Sequence, residues 1–274
     1  MNVHSAQLQE GSAEDRLFMT DRAVVVLDGA TSHDPDYPSA HEYVDSLGDE
    51  LCRHLASSSG LSDILATAIE STAERLCLHP GARAPSSTVA IVRTDADEVE
   101  ALVLGDSSVV MGCNGGTQDV ISDERLDALD FPESQFYREN LKAGHGYGPD
   151  HFAVLRSLQL KQRQRRNKHH GYWIAEADPA AAQHAIIRRY PADRVNWAIL
   201  ATDGAVDPLT PLRISWEEVA GLDDHGLRQL LARTHQWEAD SDPDGVQLPR
   251  SKRHDDKTIA VVRLAKRSVQ NELW

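Results

Sequence analysis

Cysteine is scarce in this sequence: Cys52, Cys77 and Cys113 are the only three in 274 residues, far apart and never in a CxxC pair. That excludes a disulfide framework and a zinc knuckle and leaves reduced thiols of a cytosolic protein. Basic charge is also short, with 28 Lys and Arg against 43 Asp and Glu and a formal net charge of −15. Nucleic acid and anionic membrane surfaces are therefore not expected as partners, because their phosphates would be repelled. Long apolar runs are missing as well: the run at 23–27, AVVVL, is far below the ~20 residues that a membrane helix needs. The first residues show no basic start followed by an apolar stretch, so no secretory signal is read and a cytoplasmic location is expected. Among 13 histidines there is no HExxH pair, and there is no GxxxxGK[ST] loop. These absences argue against a zinc hydrolase of that kind and against P-loop nucleotide hydrolysis.

What is present reads as one layered domain over residues 1–274, with its core at about 12–265. Strands are expected at 23–27, 88–92, 99–104, 109–111, 197–201 and 258–264, from short β-branched or apolar runs closed by turn residues. The first of these is read as ending at Asp28-Gly29. Ser39 followed by Glu42 has capping-box spacing, and Val44, Leu47, Leu51 and Leu55 then form one apolar stripe. A second stripe, Leu61, Leu65, Ile69, Ala73 and Leu76, predicts an antiparallel partner helix. Helical character is also expected from 122 to about 161, interrupted at 144–149. An alanine-rich helix is expected after Asp178-Pro179, and a further helix from Trp216 to about His235. Strands first and last with helix pairs between them indicate α+β, not alternating βαβ.

The aspartates stand at informative places. Asp28 and Asp203 each follow an apolar strand and precede a glycine, Asp106 follows a third strand, and Asp255-Asp256 precede a fourth. An Asp-Gly after a strand is also the commonest turn dipeptide, so one instance carries little. If the carboxylates converge, like charges 4 Å apart repel by about 4 kcal/mol at an effective dielectric of 20. Divalent cations remove the conflict, and all-oxygen donors select Mg²⁺ or Mn²⁺ over zinc. A pair of such ions would activate water and clamp a phosphoryl oxygen for in-line displacement.

Six short segments in order, Glu14-Asp15-Arg16, VVVLDG (24–29), Ser86-Ser87-Thr88, LGDS (104–107), ILATDG (199–204) and DDKT (255–258), resemble the metal-dependent protein phosphatases of type 2C (PPM). The resemblance spans residues 14 to about 264. It implies an α+β fold, a central β-sandwich of two antiparallel sheets flanked by pairs of antiparallel helices, with two ions in a cleft at one end. It implies that Asp28 bridges the ions and that the Gly29 carbonyl binds one. Asp203 and Asp255 would hold the second, and Asp106 a third, weaker one. Glu14 and Asp15 would lie in or just outside this shell, and Asp256 would not be a ligand. Turnover is then expected to depend on Asp28 and Asp203.

Departures from the family pattern are visible. Ala30-Thr31-Ser32 stands where many members carry a glycine pair or a histidine, and nearby His33 reads as a loop histidine. The phosphate-binding arginine that some members place four residues before the acidic pair is Glu10 here, and Arg16 is a substitute candidate. The basic run KQRQRRNKHH (161–170) is either a solvated helix end or a cleft border that steers phosphorylated substrates. The expected partner is a phosphoprotein bearing phosphoserine or phosphothreonine, or alternatively a phosphorylated small molecule. A silent regulatory domain of the same fold is the reading from a different class.

Overall fold

The computed structural model describes residues 1–10, 14–30, 38–80 and 84–264. Among these residues the strands are β1 (Asn2–Leu8), β2 (Asp15–Met19), β3 (Ala23–Ala30), β4 (Ser86–Thr94), β5 (Glu98–Leu104), β6 (Ser108–Cys113), β7 (Gln118–Ile121), β8 (Ile186–Pro191), β9 (Val195–Ala201) and β10 (Lys257–Arg263). They pair antiparallel into two five-stranded sheets, ordered β1-β10-β9-β6-β7 and β2-β3-β4-β5-β8. The longer helices are α1 (Ala40–His54), α2 (Leu61–Arg75), α3 (Pro132–Lys142) and α4 (Pro149–Arg165). Three short ones, α5 (Asp203–Val206), α6 (Leu209–Leu212) and α7 (Trp216–Ala220), precede α8 (Asp224–Asp240).

The continuous apolar run of β3 has a direct cause. Successive side chains of a strand point to opposite faces, and both faces of this strand are covered. Val24 and Val26 join Val92, Val103, Met111, Leu200 and Val262 between the two sheets. Val25 and Leu27 pack with Leu47, Leu51, Leu65 and Ile69 under α1 and α2. The other sheet buries Ile199, Val261 and Ile259 against Leu227 and Leu231 of α8. The result is an α+β sandwich with helices on both outer faces, as the sequence indicates. The capping box forms: Ser39 Oγ accepts from Glu42 N, and Glu42 Oε2 accepts from Ser39 N. A cap of this kind is worth about 1 kcal/mol.

The structure departs from the sequence expectations at several elements. β3 does not stop at Asp28-Gly29; it continues to Ala30, and Asp28, Gly29 and Ala30 pair with Thr88, Ser87 and Ser86. Asp28 is thus held by a ladder on both sides, since Asp15 pairs with it from β2. After β7 ends at Ile121, the chain makes only a 3₁₀ turn at Asp127–Leu129 before α3 begins at Pro132. The alanine-rich segment Pro179–His184 is a 3₁₀ helix capped by Asp178. The helix expected from Trp216 breaks at Gly221, and Asp223 caps a new one by accepting from Gly226 N at 2.8 Å.

Candidate metal centre

Four chain segments deliver carboxylates to one end of the sandwich, where a cleft of about 440 Å³ is lined by Asp28, Asp106, Asp203 and Asp255 with the backbone of Gly29 and Gly204. Asp28 comes from β3, Asp106 from the β5–β6 turn, Asp203 from the start of α5 and Asp255 from the loop entering β10. Asp28 and Asp203 are close enough to share a hydrogen bond between their side chains. Asp255 Oδ1 accepts from Lys252 Nζ at 2.9 Å.

Two glycines permit this convergence. A Cβ on Gly29 would lie 2.9 Å from the Glu14 carbonyl oxygen, so β2 closes on β3 only because there is none. A Cβ on Gly204 would lie 2.2 Å from the Asp256 carbonyl oxygen and 3.2 Å from Asp255 Cβ. Any side chain there pushes the Asp255 loop off Asp203. Overpacking of this kind costs about 1–3 kcal/mol, and displacing reacting groups by ~1 Å can cost ~100-fold. Gly204→Ala is therefore expected to weaken Mn²⁺ binding at least ~10-fold, read by calorimetric titration, with far-UV circular dichroism retained.

The acidic pair of the first motif sits behind the cleft wall and does not line it. Asp15 is buried, and its Oδ2 accepts from Thr202 Oγ1 at 2.9 Å, which ties β2 to the opposite sheet. Thr202 Oγ1 in turn accepts from Thr258 N at 3.0 Å. Glu14 is buried beside it, with its backbone N donating to Asp256 Oδ2 at 2.6 Å. Asp256 also accepts from Glu10 N at 2.5 Å, so its carboxylate holds the backbone at Glu10 and Glu14 while Asp255 faces the cleft.

Arg16 is not brought to the cleft. Its Nε donates to Asp45 Oδ1 at 2.6 Å, and its Nη2 meets His41 on α1. The cations that do line the cleft are Arg138, Arg163, Arg166, Arg250 and Lys252. Arg138 pairs with Asp127, Arg166 with Glu176 and Arg250 with Asp242. Arg163 makes no ion pair among the described residues, and Lys252 carries only Asp255. The basic run is thus divided: Gln162, Arg163 and Arg166 border the cleft, while Lys161 pairs with Glu133 and Lys168 donates to Gln164 O. His33 lies outside the described residues.

Sequence reasoning missed Asp207, Asp123 and Asp127, which also line the cleft. Asp207 follows Asp203 by four residues, one helical turn, and its backbone N donates to Asp203 O at 2.9 Å. That spacing in ATDGAVD was the available signal. Asp123 is held by Arg125 at 2.7 Å.

Crowding perturbs these acids strongly. Withdrawal from water, then Asp15, Asp203, Asp255 and Asp106 in turn, push the Asp28 carboxyl well above the usual range. Burial raises Asp203, with Asp255 adding to it. Asp15 is pushed up to about 7 by burial, against the hydrogen bonds from Thr202 and Thr258. Asp106 and Asp207 shift the same way, but both open to solvent in the cleft, which screens them more than Asp15. Lys252 cannot neutralise such a group alone. The donor set is entirely oxygen and carries excess negative charge, which fits hard divalent cations.

No protein-family model matches this chain, and no curated protein matches it. Solved structures do. PppA, a regulatory component of the T6SS in Pseudomonas aeruginosa, superposes with a TM-score of 0.56 at 16% identity, covering 96% of this chain and 97% of that one. The catalytic domain of the serine/threonine protein phosphatase PstP, solved with two manganese ions, gives 0.52 at 14% identity, over 95% and 96%. The PPM Ser-Thr phosphatase MsPP from Mycobacterium smegmatis, solved with cacodylate, gives 0.51 at 15%, over 97% and 99%. Over nearly its whole length, this chain has the fold of the bacterial PPM-type serine/threonine phosphatases.

Proposed function

We propose that the protein is a phosphomonoester hydrolase that requires Mn²⁺ or Mg²⁺ and acts on phosphoserine or phosphothreonine in proteins. One observation carries this reading: Asp28, Asp106, Asp203 and Asp255, from four separate segments, face one cleft with a charge conflict that divalent ions would relieve. Asp28 would bridge two ions, with Gly29 O on one and Asp203 and Asp255 on the other. Asp106 would serve a third, and Glu14 and Asp15 would stand behind them. Bound there, the ions supply an activated water and charge neutralisation at phosphorus.

The chain's own residues would do the rest. Asp15, locked by Thr202, orients Asp28 from behind, and Thr258 holds Thr202 in place. Lys252, whose only ion-pair partner among the described residues, Asp255, would hold a cation, would then be free to meet a phosphoryl oxygen. Arg163 of α4, which also lines the cleft, would offer a second anchor in place of Arg16. The similar folds of PstP and MsPP, both serine/threonine phosphatases, support a phosphoprotein as substrate.

The test is hydrolysis of p-nitrophenyl phosphate, then of a panel of phosphopeptides and phosphorylated small molecules, by chelator-treated protein. Turnover should return with Mn²⁺ or Mg²⁺ and be faster on phosphopeptides. Turnover confined to small molecules would move the substrate class. No turnover with either ion would leave a silent domain of this fold, and recovery with zinc alone would contradict the oxygen-donor argument.

A further inference from the structure

Helix α8 places His235 and Glu238 three residues apart, a spacing that puts both on one helix face. The loop that follows brings His254 against them. One ligand atom from each of the three lies within 4.8 Å of the others. His254 Nδ1 is 3.1 Å from Glu238 Oε2, and the two imidazole rings lie 4.2 Å apart between centroids. Glu10, just past β1, sets its Oε1 3.4 Å from His235 Nδ1. That nitrogen is shut off from solvent and has no hydrogen bond. The other oxygen of Glu238 accepts from the fully buried Lys257 ammonium at 2.8 Å.

This arrangement has the parts of a metal site. The carboxylate is 2% exposed and is oriented from behind by Lys257, which leaves Oε2 for a ligand role. One ion coordinated by both rings would give the buried His235 Nδ1, which makes no hydrogen bond, a partner. Two imidazoles and one carboxylate form a nitrogen-rich donor set suited to zinc and its neighbours, unlike the all-oxygen cluster in the cleft.

We propose that His235, Glu238 and His254 bind one Zn²⁺-type ion, with Glu10 as the fourth ligand, at a site that shares no ligand with the aspartate cluster, although Glu238 also borders its cleft. The ion would clip the loop at 241–256, which carries Lys252 and Asp255, onto α8. Its role is positional: the site holds the segment that supplies a carboxylate to the cleft. The inference does not depend on the phosphatase reading, since the ligands are different residues. The competing account is a metal-free network in which Lys257 and His254 simply share Glu238.

The test uses the full chain with Asp28→Asn and Asp203→Asn, which silences the cleft. After equilibration with Zn²⁺ and gel filtration, one equivalent of zinc should remain by elemental analysis. Co²⁺ in its place should give visible ligand-field bands. His254→Ala should weaken binding beyond the ~10–100-fold typical of losing an outer-shell partner. His235→Asn, at a side chain 31% exposed, gives the same reading should the first variant not fold. Zinc retention at one equivalent with loss in the His variants supports the site. No retained zinc, or retention unchanged by either His substitution, overturns it.

Discussion

Replacing Asp28 by Asn is expected to lower Mn²⁺-dependent turnover by about 10³-fold or more while making the metal-free protein more stable. The first effect follows from the position of the side chain. Asp28 is the residue that Asp15, Asp203, Asp255 and Asp106 all press upon, which is why we propose it as the bridge between ions. Metal ions contribute several kcal/mol of transition-state stabilisation, and about 1.4 kcal/mol is tenfold in rate. The second effect has the opposite sign because the amide keeps the shape and removes the charge. A ladder position between β2 and β4 fixes the backbone regardless. Turnover and thermal melting of the same preparation separate the two, and a variant with wild-type turnover would refute the ligand assignment.

The metal-free protein should lose stability as pH rises from about 4 to about 7, and Mn²⁺ should restore it. Asp15, Asp28 and Asp203 have native pKa values raised by burial and by one another, Asp15 to about 7. In this window the folded chain keeps protons that the unfolded chain releases, so unfolding becomes easier with rising pH. The slope is about 1.4 kcal/mol per pH unit for each proton retained. Capping acids such as Glu42 and Asp223 are lowered instead, so their contribution is lost only as pH falls below about 4. His184, lowered by burial, opposes the trend with one proton against several carboxyls. At pH 7.5, an ion at 100 times its dissociation constant adds about 2.7 kcal/mol, or roughly 5–10 °C in melting temperature. Melts at pH 5 and 7.5, with and without Mn²⁺, check both signs.

The sequence disclosed the interior of this fold better than its edges. Runs such as AVVVL and, apart from half-buried Trp197, WAILA are buried, and they predicted β3 and β9 directly. β1 escaped notice because only Ala6 of Asn2–Leu8 is fully buried, and β8, IIRRYP, has none buried. Such strands sit at sheet edges, where polar and charged residues discourage further pairing. The carboxylates at strand ends were legible because strand, aspartate and glycine recur together. Arg16, a candidate phosphate anchor in the sequence, lies away from the cleft because its partners Asp45 and His41 come from α1, 29 and 25 residues on in the chain and invisible to local spacing. His235 and His254 were hidden for the same reason: nineteen residues separate them, and only the turn after α8 brings them together. The absence of any membrane-crossing helix among the described residues agrees with the short apolar runs.

Calorimetric titration of Mn²⁺ into the chelated protein at pH 7.5, beside Asp203→Asn, decides whether these carboxylates hold metal. The native chain should bind at least two ions and the variant at least one fewer. If the native chain takes up no Mn²⁺, or the two proteins bind it identically, the aspartates do not form a metal centre.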